Sequence, residues 1–290
     1  MQSNNPVFRR SEAFNGSQAN AYGNQTFPGN GTAYDGYGQT GVQQGYAPAP
    51  TTGERMTVDS VVQKTAISLG VVMLTAAITW WWVGDISSPS DASIGTLYLA
   101  LMVGSFGAFA LSMVNSFKRV ISPALVIAFA ALEGVALGAF SKFIDVFIVG
   151  TQAEGLGNNV VMQAVIGTFA AFAGTLAAYK ILDIKVGQKF RTFVIAAMFG
   201  MVGLGLLEVV LQLFGTGTGI LGFGGAGLLF AIGGLVLGVF MLILDFDFVE
   251  QGIAAGIEER ESWRAAFALT VSLVWIYTNL LRILAIFSQD

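Results

Sequence analysis

The stretch Gly233–Gly252, "GGLVLGVFMLILDFDFVEQG", runs apolar for a dozen residues and then sets Asp245 and Asp247 two apart. Extended back to Gly227, the apolar run reaches the roughly 20 residues that cross the hydrocarbon core of a bilayer. Nothing in such a helix calls for a carboxylate. The run therefore decides the fold, and the two acids near its end pose the functional question.

Working outward, the same hydropathy criterion finds six further runs. The spans fall at about 65–83, 94–114, 123–140, 160–179, 193–214, 227–246 and 265–287. Composition agrees: the 290 residues are 54% hydrophobic and 11% charged, against about 25% charged in a soluble domain. An all-α integral membrane protein with seven transmembrane helices is predicted. "TWWWVG" puts Trp80, Trp81 and Trp82 where an aromatic belt sits, and Ser122–Pro123 opens the third helix. The connection "GTGTGILGFGGAGLL" (215–229) is either a loop packed back into the protein or a flexible turn. No internal repeat is visible, which disfavours an inverted-repeat transporter.

Residues 1–55 are rich in Gly, Asn, Gln, Ser, Tyr and Pro. They cannot bury enough apolar area to offset chain entropy and read as a disordered polar tail. Residues 56–290 form the seven-helix transmembrane domain, with "VDSVVQKT" (58–65) as a short amphipathic lead-in. The first 50 residues contain no apolar core, so no secretory signal is expected.

Charge distribution orients the chain. Of the fourteen Lys and Arg, only Lys142 lies on one set of flanks, and Arg282 lies within the last span. The others, including Lys64, Lys118, Arg119, Lys180, Lys185, Lys189, Arg191 and Arg264, lie on the opposite set. By the positive-inside rule the amino terminus is cytoplasmic and, after seven spans, the carboxy terminus is outside.

Cysteine and histidine are absent. That excludes disulfides, thiolate or Ser–His catalysis, and zinc sites built on those ligands. It also leaves carboxylates as the only candidates for a proton-linked switch. An intramembrane aspartyl protease needs acids on two facing helices and a G-x-G-D motif; "GLGLLE" (203–208) has neither the aspartate nor the spacing. Neither an enzyme, nor a cofactor, nor a nucleic-acid partner is expected.

Charges inside spans cost a few kcal/mol each and usually face partners or water. Here they are Glu133, Glu208, Asp245 and Arg282, with Asp247 at an edge. Asp245 and Asp247 lie at the depth where the second span ends in Lys118 and Arg119, so a carboxylate–base pair between helices two and six is expected. Glu208 and Arg282, in the outer parts of helices five and seven, are expected to form a second, structural pair. Glu133, near mid-membrane with no local cation, is either carried neutral or faces a water-filled cavity. Residues two apart on a helix diverge by about 200°. If the helix is regular, Asp245 and Asp247 therefore cannot both face the bundle interior: one lines it and the other turns toward the interface or a neighbouring loop. Glu250, Glu258, Glu259 and Glu261 read as a solvated loop.

"LEGVALGAFS" in helix three, "LDFDFVEQG" in helix six and "VWIYTNLLRIL" in helix seven, in that order and spacing, resemble the Bax inhibitor-1 family, the transmembrane BAX inhibitor motif proteins. The likeness covers roughly residues 60–287 and is nearest an actinobacterial-type branch, which implies a bacterial cell (inner) membrane. It implies six helices around a central seventh and a pH-sensitive calcium leak, in which aspartates on helices six and seven share a proton and an arginine ending helix two holds the pore closed. Carried over by position, the helix-six aspartate is Asp247 or Asp245, the base is Lys118 or Arg119, and the helix-seven aspartate falls on Ser272. A two-aspartate latch across helices six and seven therefore cannot form in this chain.

The expected function is a calcium (cation) leak gated by protons, with Asp245, Asp247, Lys118, Arg119 and Ser272 as the sensor. Asp245 and Asp247 would hold calcium transiently through oxygen ligands. The alternative is a non-conducting regulator that binds another membrane protein, such as a protease or a stress or cell-death factor.

Overall fold

The computed structural model describes residues 54–84, 86, 92–150 and 159–289. Their secondary structure is helical apart from one isolated antiparallel bridge, Arg55 to Glu258. Seven long helices follow in order: α1 (Val58–Val83), α2 (Ala92–Phe117), α3 (Pro123–Ile144), α4 (Val160–Ile181), α5 (Gln188–Leu213), α6 (Gly225–Ala254) and α7 (Ser262–Phe287). A π-helical turn, Asp145–Val149, extends α3, and a 3-10 turn, Glu259–Glu261, leads into α7. All seven are long and apolar enough to cross a membrane, and the chain is a multi-pass membrane protein.

Local signals place several helix starts. Thr57 and Ser60 close a reciprocal capping box on α1, with the Thr57 hydroxyl accepting from the Ser60 N–H at 3.1 Å. The Asn159 side chain accepts from the N–H groups of Val161 and Met162 at the start of α4. Pro123 occupies the first turn of α3, where its missing N–H costs nothing. The lead-in 58–65 is thus no separate element but the first two turns of α1.

Burial separates interior from periphery. In the most apolar stretch of α7, 56% of residues are buried inside the protein; in that of α5, 11% are. α7 packs against α1, α3, α4 and α6, whereas α2 lies mainly on α3, and α5 on α6. The exposed side chains of α5, such as Phe193, Phe199 and Leu206, form a lipid-facing surface.

The α1–α2–α3 group is joined by small residues. A methyl placed on Gly138 would come 2.5 Å from the Ala76 carbonyl oxygen of α1, and one on Gly134 would collide with Thr75 and the Val72 carbonyl. On the other side of α3, Gly104 of α2 meets the Ala136 backbone equally closely. Lipid tails are as apolar as side chains, so helices here adhere by close backbone approach.

One expectation needs revision, one open alternative is decided, and one reading falls mostly outside the described residues. The expected tail lies outside the described residues except for Glu54 and Arg55, which are paired: the Glu54 carbonyl accepts from the Glu259 N–H at 2.8 Å. The acids of α6 do not end the helix, which continues to Ala254. The 215–224 connection packs back into the protein, held at both sides as described below.

Candidate functional site

One end of the bundle carries Lys64, Lys118, Arg119, Lys180, Lys189, Arg191 and Arg264 and is called here the basic end. α6 reaches it with three acids, each fastened to a different neighbour. Asp245 accepts from the Ser272 hydroxyl of α7 at 2.5 Å, with both residues buried. Asp247 accepts from Arg191 Nη2 in the first turn of α5 at 2.6 Å and from Gln251 Nε2 at 2.7 Å. Glu250 accepts from the Tyr179 hydroxyl of α4 at 2.6 Å. The roughly 200° between positions two apart is what sends Asp245 towards α7 and Asp247 towards α5.

The base that meets Asp247 is therefore Arg191, and not Lys118 or Arg119. Both of those side chains are exposed at the end of α2. α2 packs on α3, away from α6, whereas α5 is the neighbour of α6 and brings Arg191 to the depth of Asp247. The end of α2 is engaged differently: the Arg119 carbonyl accepts from Arg264 Nη2 at 2.8 Å. The Arg264 side chain is buried and pairs with Glu261 at 2.7 Å.

The loop acids are not simply solvated. Glu261 is buried against Arg264, and Glu259 pairs with Lys64 of α1 at 2.6 Å. Lys64 also donates to the Glu259 carbonyl at 3.1 Å, and the hydroxyls of Ser60 and Ser262 meet at 2.7 Å. With the Arg55–Glu258 bridge, these contacts strap the start of α1 to the α6–α7 turn.

At the opposite end Glu208 and Arg282 do not pair with each other. Glu208 accepts from the Thr218 N–H (2.9 Å), the Thr218 hydroxyl (2.6 Å), the Gly219 N–H (2.7 Å) and Gln212 Nε2 (3.3 Å). Arg282 Nη2 donates to the carbonyls of Ile220 (3.0 Å) and Gly222 (3.1 Å). The connecting loop lies between the two charges, and its free backbone donors and acceptors satisfy both.

Glu133 lines a cavity of about 410 Å³ bordered by α2, α3, α6, α7 and the loop, which Arg282 also lines. Among the described residues no group of three or more acidic side chains is placed to hold a metal ion. Asp245 and Asp247 do not converge on a shared calcium site, because each is turned to a different helix.

Arg191, Tyr179 and Gln251 were not singled out from sequence. The signal for Arg191 was available: it opens α5 at the same depth as the acids, as Lys118 and Arg119 close α2.

Seven apolar helices fastened to one another by buried polar contacts define a polytopic helical membrane protein. Within that class the chain belongs to the family described as Bax inhibitor 1 like, whose family model matches residues 5–289. A search of curated proteins returns no match to it.

Proposed function

We propose that this protein is a pH-sensitive leak for cations, calcium among them, with its basic end in the cytoplasm of a bacterial cell. Its closed form is held by the α6 carboxylates. The observation that carries this reading is the 2.6 Å ion pair that Asp247 makes with Arg191 between α6 and α5 at the basic end of the bundle. A buried pair holds its helices together only while both members are charged. Removing the charge of Asp247 leaves the guanidinium facing a neutral partner and loosens α5 from α6. A proton on Asp245 makes that acid a donor, so the bond with Ser272 must be rearranged. Such a local charge change acting on a packed element is how a switch works without histidine. The strong Lys and Arg bias supports the orientation. Passage needs cation attraction without a tight cage, which suits an arrangement of separated acids.

The test is calcium entry into liposomes carrying the purified full-length chain, read with a trapped dye from about pH 8 to pH 6. Flux is expected to rise as pH falls. Asp247→Asn, which removes the charge that Arg191 meets, is expected to raise the flux at pH 8 above that of the wild type. No flux above empty liposomes at any pH would overturn the leak. A single stoichiometric membrane partner in crosslinking, indifferent to Asp247→Asn, would favour the regulator reading.

A further inference from the structure

The Glu133 cavity is lined by none of the three acids of α6 at the basic end, nor by their partners. It runs along α7 from Val271 to Arg282, roughly 16 Å of helix at 1.5 Å per residue. Its volume of about 410 Å³ falls within the range of about 300–1,000 Å³ usual for small-molecule sites. α2 and α6, which flank it, have no substantial contact with each other. Between them Ser105 and Phe109 of α2 line the cavity and are also exposed on the membrane-facing surface. The cavity thus opens sideways towards lipid.

We propose that this cavity binds an amphipathic organic cation, an ammonium headgroup on a hydrocarbon tail, which enters from the membrane between α2 and α6. Glu133 supplies the anionic end. Among the described residues no hydrogen bond or ion pair reaches its carboxylate, a costly state for a charge at this depth unless a cation arrives. The cavity walls are aromatic: Phe109, Phe129 and Trp275 line it, while the ring of Phe230 faces the Arg282 guanidinium at the far end. Ring faces attract alkylammonium ions, whereas calcium requires six to eight oxygen ligands, far more than one carboxylate and a few scattered hydroxyls supply. The donor set therefore selects an organic over an inorganic cation.

Arg282 fixes the polarity of the site. Its guanidinium is turned to the Ile220 and Gly222 carbonyls at the far end, where it repels a second positive charge. The headgroup sits at Glu133 and the tail leaves past Ser105 and Phe109 into lipid. The proposal is independent of the leak, because Asp245 and Asp247 do not line the cavity.

Tritiated decyltrimethylammonium, permanently charged, is the probe, measured by scintillation proximity on the full-length chain in nonionic-detergent micelles. Saturable binding of one probe per chain is expected, weakened about tenfold or more in Glu133→Gln and unchanged in Asp247→Asn. Ser105→Trp, which places its bulk at the exposed mouth where folding is undisturbed, is expected to abolish binding. The uncharged tert-butyl analogue of the probe should fail to compete. Unsaturable uptake, equal affinity in Glu133→Gln, binding that survives Ser105→Trp, or competition by the uncharged analogue would each overturn the proposal.

Discussion

Asp247 and Glu208 are both carboxylates buried in the bundle, and they are held in opposite ways. Asp247 is gripped by two side chains, Arg191 from another helix and Gln251 from its own. Glu208 is gripped chiefly by one loop, through two backbone N–H groups and a hydroxyl. A side-chain ion pair between helices can be released by one proton and re-formed without disturbing either backbone. A carboxylate that satisfies main-chain donors is part of the loop's fold, because losing it undoes the backbone pairing of the loop. In the proposed leak the basic end is the one that adjusts, and the opposite end stays put.

Removing Glu208 should break that contrast most severely. Glu208→Ala takes the acceptor from the N–H groups of Thr218 and Gly219 at once, and a clear fall of the unfolding midpoint in detergent is expected. Arg191→Gln should come next, at about 2 kcal/mol; Arg191 keeps some solvent contact, which places the loss below that of a fully buried pair. Its sharper signature is functional: calcium flux at pH 8 should rise above that of the wild type, because the ion pair that holds α5 to α6 is gone. Should Arg191→Gln keep the wild-type pH profile, the pair is structural and the contrast between the ends collapses. Lys118→Ala should change stability by no more than about 0.5 kcal/mol, as for an exposed residue, and leave the pH profile as it was.

Much of the architecture is legible from hydropathy alone, because a membrane span is defined by length and apolarity, and both are linear properties of sequence. The divergence of Asp245 and Asp247 is equally legible, since it follows from helical pitch. What depth along the membrane normal does not convey is direction around it. Lys118, Arg119 and Arg191 all lie at a similar level, and choosing among them requires knowing that α6 has α5 and not α2 beside it. The Glu208–Arg282 expectation failed for a related reason. Two opposite charges at matching depth suggest a pair, but the intervening glycine-rich loop offers donors to one and carbonyls to the other. Backbone groups carry no label in the sequence that would announce this. Ser272 was legible only as a position lacking an acid. Its hydroxyl donates to Asp245, so helices six and seven are in contact through one carboxylate where the resemblance implies two.

The strap between the start of α1 and the α6–α7 turn has a consequence for biogenesis. Ser60 and Ser262, whose hydroxyls meet, are 202 residues apart in the chain. During synthesis the first helix enters the bilayer long before its partners at that end exist, so Lys64 must wait for Glu259 and Arg55 for Glu258. The bundle is closed by its last hairpin, and a chain arrested before α7 leaves the ribosome with its first helix unsealed.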